Sequence, residues 1–249
     1  MKSCLPRSPL TSPREDIPEL HNGDRLKQPE FHRRYMAMPE GIKCELIGGV
    51  VYMSAPSRRR GHGGPHLRLA TVLGVYEAAT PGVRAADNAT LVLGVGSEPE
   101  PDLCVRSITG SGRRAQRDIE DAKGVPDLVL EVASSSDAIE LHEKREDYRR
   151  AGVPEYLVLC VRDGELRAFD LKANRERRVD ADGVYRSKGF PGLWIDVAAA
   201  LSADTAKLLS VVQQGIATPG HAAFVKKLKA RAERAKRSKL RDRKPWHRG

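Results

Sequence analysis

The stretch Asp127-Leu-Val-Leu-Glu-Val-Ala133 constrains the fold of this chain more than any other segment. Read as a strand with a period of two, it sets Leu128, Leu130 and Val132 on one face and Val129, Glu131 and Ala133 on the other. Both faces are apolar except at Glu131, so the strand is expected to be covered on both sides. A carboxylate there needs a cation, a hydrogen-bond network or water, because an unpaired buried charge is strongly disfavoured or neutralises itself.

A helix expected over about 137–151, closed by Gly152 and Pro154, carries a second misplaced charge. Leu141, Lys144, Tyr148 and Ala151 recur at helical spacing and form its core-facing stripe, with a lysine in the middle. A third residue, Asp102, opens an apolar run after Glu98-Pro-Glu-Pro101. Each has a bland alternative: a wet strand end for Glu131, a lysine snorkelling to solvent, a loop junction for Asp102. Together, two carboxylates and one cation on three separate elements are a minimal kit for metal-assisted phosphodiester hydrolysis. Carboxylates hold Mg²⁺ (or Mn²⁺) while leaving positions for phosphate oxygens, and an ammonium stabilises the negative charge that develops.

The rest of the chain frames this trio. Residues 1–28, rich in Pro, Ser and charge, read as a flexible leader. A short helix is expected over 29–38, and strands over 42–47 and 50–54 joined by Gly48-Gly49 as a hairpin. A basic, glycine-rich loop (58–64) precedes a helix from about Pro65, with Leu67, Ala70, Leu73 or Gly74, and Glu77 at helical spacing. Strands follow near 82–86, 90–95 and 101–105, then a long loop over 106–124. Beyond the central helix come strands 155–161 and 165–171, two hairpin arms (175–180 and 183–188) and a helix over about 203–214. The main domain thus spans 29–215, and 216–249 is a basic tail, disordered or helical.

Charge is divided sharply along the chain. Residues 226–249 contain twelve Lys/Arg and two acids, which accounts for the whole net charge of +10 and leaves 31 residues of each sign in the preceding body. Lys226, Lys227, Lys229, Arg231, Arg234, Lys236, Arg237, Lys239, Arg241, Arg243 and Lys244 are candidate phosphate contacts, of the kind that neutralise a nucleic-acid backbone without reading bases. No apolar run reaches the roughly 18 residues of a membrane span, and no secretory signal is evident, so a cytoplasmic protein is expected. The four cysteines lack any Cys-x-x-Cys spacing, and Cys44, Cys104 and Cys160 lie in apolar, strand-like segments as small hydrophobes.

Several segments together resemble the Uma-type family of restriction endonucleases, placed in the PD-(D/E)XK nuclease superfamily. They are Glu45-Leu-Ile-Gly-Gly49, Ser54-Ala-Pro-Ser57 before a His-initiated helix, Pro101-Asp102, Leu130 to Ser136, and Glu143-Lys144 through Tyr156. The resemblance covers about 30–200. It implies an α/β (α+β) restriction-endonuclease-like core, a mixed β-sheet flanked by helices, cutting DNA with Mg²⁺. Asp102 and Glu131 match the metal-binding acids. The superfamily's usual lysine position, two residues after the second acid, is Ala133 here, and Lys144 matches the family's replacement. Glu45, His62 and Tyr148 match accessory positions. Gly48 and Val50 stand where the family often carries acids.

The leading expectation is therefore a Mg²⁺-dependent DNA endonuclease, with a homodimer compatible with double-strand cutting. Two alternatives stay open: a nuclease-fold DNA-binding or regulatory module that does not cut, and a partner protein with no nucleic-acid role.

Overall fold

The computed structural model describes residues 17–53, 61–108, 124–133 and 141–242, with side chains followed as far as residue 238. Helix α1 (Gln28–Tyr35) precedes the strands β1 (Cys44–Ile47) and β2 (Val50–Met53), and α2 (Gly63–Ala79) leads into β3 (Val83–Asp87) and β4 (Leu103–Ser107). Then β5 (Leu128–Ala133), α3 (Glu143–Ala151) and β6 (Glu155–Cys160) run in succession, continued by β7 (Glu165–Asp170) and β8 (Arg175–Arg177). The chain goes on through β9 (Val184–Arg186), β10 (Trp194–Asp196), α4 (Val197–Ser202), α5 (Thr205–Ile216) and α6 (Pro219–Asp242).

Six strands form one mixed sheet in the order β3-β4-β5-β6-β7-β8. Only β5 and β6 are parallel, because α3 carries the chain back between them; the other neighbours are antiparallel. All six residues of β5 are buried, as are all six of β6. On one face Leu128, Leu130 and Val132 pack with Leu69, Leu73 and Tyr76 of α2 and Leu208 and Val212 of α5. On the other, Val129 and Ala133 pack with Leu141, Tyr148 and Val153 around α3. The two-sided covering inferred from the strand's apolar faces is thus the architecture of the molecule.

Local chemistry sets the boundaries. Gly48 and Gly49 both have positive φ (58° and 80°), the two-residue turn that matches strand twist, and the hairpin pairs Ile47 with Val50. Gly152 adopts a left-handed conformation at φ 85°; its N–H bonds Arg149 O while Val153 N bonds Tyr148 O, closing α3 in a Schellman arrangement.

Several sequence expectations need correction. Helix α1 ends at Tyr35 rather than 38. The buried stripe of α2 is Pro65, Leu69, Val72, Leu73 and Tyr76; of the residues noted at helical spacing Leu73 belongs to it, while Leu67 faces solvent. Residues 90–95 form no strand: Gly94 and Gly96 break the ladder, leaving single contacts such as Leu91 N to Pro99 O at 2.9 Å. β4 extends to Ser107, into the expected 106–124 loop, whose residues 109–123 lie outside the described ones, as do 58–60 and 137–140. The arms at 175–177 and 184–186 do not pair with each other; β8 joins β7 and β9 joins β10. Within the segment read as a leader, Leu20 is buried, Arg25 bridges Val50, and Gly23 N bonds Val51 O at 2.8 Å. The segment expected as a basic tail, disordered or helical, carries α6, and Leu228 of that helix is buried in the main core.

Candidate active site

Register brings the acids together. β4 and β5 pair Leu103 with Leu130, so one step further along the ladder Asp102 stands opposite Glu131 on the same face. Asp102 N lies 3.3 Å from Glu131 Oε2, and Val132 N donates to Asp102 Oδ2 at 2.7 Å. Both residues are buried, Asp102 at 6% and Glu131 at 2% exposure.

Helix α3 supplies the cation. Lys144 and Tyr148 are four residues apart and share its inner face. Lys144 Nζ lies 3.1 Å from Glu131 Oε1 and 2.9 Å from Glu45 Oε1, and Tyr148 donates its hydroxyl to Glu131 Oε1 at 3.1 Å. Burial, then the charge of Glu131, pushes the Tyr148 phenol well above its ordinary pKa, so it stays a donor. The ammonium is 4% exposed, and a buried cation of this kind persists only when paired.

Two further elements close the cluster. Glu45 on β1 also accepts from Glu100 N at 2.8 Å, linking the hairpin to the segment that carries Asp102. His62, just before α2, holds Nε2 3.0 Å from Asp102 Oδ2. Burial raises the Asp102 carboxyl, but the hydrogen bond and charge of His62, the Val132 N–H and the charge of Lys144 outweigh it and hold the carboxyl below its ordinary pKa. Asp102 is therefore a carboxylate at neutral pH. The structure brings together Asp102, Glu131, Lys144, Glu45, His62 and Tyr148; the basic residues of 226–237 lie on α6, the side chains of Lys239 and Arg241 are outside the described ones, and Arg243 and Lys244 lie outside altogether.

Other polar residues around this cluster were missed from sequence. His66, one turn after His62, places Nε2 3.0 Å from Asp87 Oδ1 and 3.3 Å from Asp102 O. Asp147 is buried and accepts from Ser97 Oγ at 2.6 Å, and burial raises its pKa. Glu98 is buried between Gln28 Nε2 and His32 Nδ1, each at 2.7 Å. Helical spacing could have found His66 and Asp147, each three or four residues from a residue already singled out. Glu98 carries no comparable mark in sequence.

Paired carboxylates suit a hard, oxygen-seeking divalent ion, and the donor set at Asp102 and Glu131 fits one. A separate trio, Cys160, Asp163 and Glu165, brings a thiol and two carboxylates within 4.8 Å of one another at the β6–β7 turn. It shares no residue with the cluster, and its buried thiol is a soft ligand of the kind Mg²⁺ does not favour.

A family model described as "Uma2: Putative restriction endonuclease" matches residues 28–198. No curated protein matches the chain. Among solved structures, the fold is similar to a crystal structure described as a putative nuclease belonging to DUF820 from Anabaena variabilis. That similarity has a TM-score of 0.51 at 13% identity, covering 72% of this chain and 97% of the other. At that identity the likeness concerns the fold.

Proposed function

Since the chain belongs to the Uma2 family of restriction-endonuclease-like proteins, we propose that it hydrolyses phosphodiester bonds in DNA with a divalent metal ion, Mg²⁺ or Mn²⁺, held by Asp102 and Glu131. The observation that carries this reading is the buried junction of Asp102, Glu131 and Lys144, drawn from β4, β5 and α3. Among the described residues, Lys144 holds Glu131 and Glu45 while His62 holds Asp102, so two carboxylates of neighbouring strands stand side by side, the donor set that a hard divalent ion takes.

Bound there, a divalent ion supplies polarisation of the phosphodiester and a lowered pKa for an attacking water. The side chains do the rest. Asp102 and Glu131 present oxygen donors fixed by the sheet register. Tyr148 and the backbone N–H of Asp102 orient the Glu131 carboxylate, while His62 and Val132 N orient Asp102. Lys144, held between Glu45 and Glu131, places an ammonium beside the acids, where it stabilises negative charge building on the phosphate.

One feature favours a second reading, a nuclease-fold DNA-binding module that does not cut. Lys144 already bonds both Glu131 and Glu45, so a metal ion must compete with an ammonium in place. Incubating the protein with supercoiled plasmid and with a single-stranded RNA, each in Mg²⁺, Mn²⁺ or excess chelator, separates the two. The proposal expects the plasmid to be nicked or linearised only with a divalent ion. DNA binding without cleavage in any ion supports the second reading, and RNA cleavage alone contradicts the choice of substrate.

A further inference from the structure

The family match ends at residue 198, so α5 and α6 lie beyond it. We infer that α6 is an anchored arm whose exposed basic face grips the phosphate backbone of duplex DNA, an inference that rests on the nuclease reading for its choice of partner.

The anchoring is visible in one stripe. His221, Phe224, Val225, Leu228, Ala232 and Ala235 recur at three- and four-residue steps and are buried or half-buried. Leu228 is fully buried in the main core, and Phe224 packs against it, edge-on to Phe190 at 6.2 Å. His221 is seated more tightly still. Its Nε2 lies 3.0 Å from Thr80 Oγ1 at the end of α2, and its ring meets Tyr76 edge-on at 5.7 Å. The seat depends on Gly192, which has φ 91°; a Cβ there would come within 2.9 Å of both Gly215 O and the His221 Cβ. The first turns of α6 are thus fitted to α2, α5 and the loop before β10.

The opposite arc is strongly basic. Lys226, Lys227, Lys229, Arg231, Arg234, Lys236 and Arg237 are all exposed, with Glu233 the only acid among residues 226–238. At 1.5 Å per residue the 24-residue helix is about 36 Å long, close to the roughly 34 Å of one duplex turn. The body before residue 226 holds equal numbers of acids and bases, so the attraction for a polyanion is concentrated here. Seven cations on a fixed helix, with no exposed large apolar side chain among the described residues 226–238, suit phosphates rather than a lipid surface, which requires an apolar face to insert.

The test measures affinity for a short duplex as a function of KCl, in chelator so that nothing is cut. It compares wild type with K226Q/K227Q/R231Q/R234Q/R237Q and with a charge-matched control on the body, R84Q/R150Q/K172Q/R175Q/R178Q. Each phosphate contact contributes about 0.9 to the slope of log K against log salt, so the α6 variant is expected to lose about 4 of that slope while the control loses less than about 1. Circular dichroism confirms that both variants remain folded. Equal slopes for wild type and the α6 variant overturn the inference, as does an equal loss in the control. Retention on anionic vesicles that depends on α6, with an unchanged DNA slope, overturns it in favour of a membrane surface. Metal-dependent cleavage by the same wild-type preparation is scored separately, so failure of the arm and failure of the nuclease reading are distinguishable.

Discussion

Lys144 has two carboxylates within 3.1 Å and almost no water to screen it, so its removal leaves charge behind rather than merely losing a contact. Lys144→Met keeps the volume and strands Glu131 and Glu45, and is expected to cost about 3–5 kcal/mol in urea denaturation. Adding Glu131→Gln and Glu45→Gln to that variant should recover most of the loss, because the neutral amides carry no unpaired charge. A single variant as stable as wild type would contradict this account of the pair. Glu131 and Lys144 were legible in sequence because each interrupts an apolar face. Glu98 was not, because an acid among prolines is ordinary until the fold supplies Gln28 and His32 as partners, and His66 was marked only by its spacing from His62 until the fold set it against Asp87.

Among the elements, those with strong periodicity or explicit turn chemistry were readable. The β5–α3–β6 unit and the Gly48-Gly49 hairpin follow from apolar runs, a glycine cap and a glycine pair. The excursion at 90–96 and the short pair β9–β10 were obscured because single bridges and three-residue strands leave no periodic trace. The seat of α6 on the core was hidden for a different reason: its apolar stripe is sparse amid lysines, and the close backbone approach at Gly192 and Gly215 is visible only in the fold. That seat makes a pH prediction. Burial lowers the His221 pKa from 6.5, against a smaller opposing hydrogen bond from the backbone of Ile216. The folded state favours the neutral ring, and in the window below 6.5 the unfolded chain binds more protons, so stability is full above that pH and is lost as pH falls below it. The midpoint of thermal unfolding should therefore drop between pH 7 and pH 5 more steeply in wild type than in His221→Gln. Parallel profiles would show that the ring does not titrate in this way.

At the scale of the whole molecule, a neutral body carries the buried acidic site and a separate helix carries the positive charge. On the proposed reading the first does the chemistry and the second attracts the nucleic acid, and no helix among the described residues is long and apolar enough to cross a membrane. The central claim is that the Asp102–Glu131–Lys144 junction is the hydrolytic site. The most direct measurement is plasmid cleavage in Mg²⁺ by wild type and Glu131→Gln side by side, with both shown to be folded. The amide keeps an acceptor for Tyr148 but loses the charge that would hold the metal ion. The account predicts cleavage by wild type and none by the variant; cutting by Glu131→Gln at the wild-type rate would contradict it.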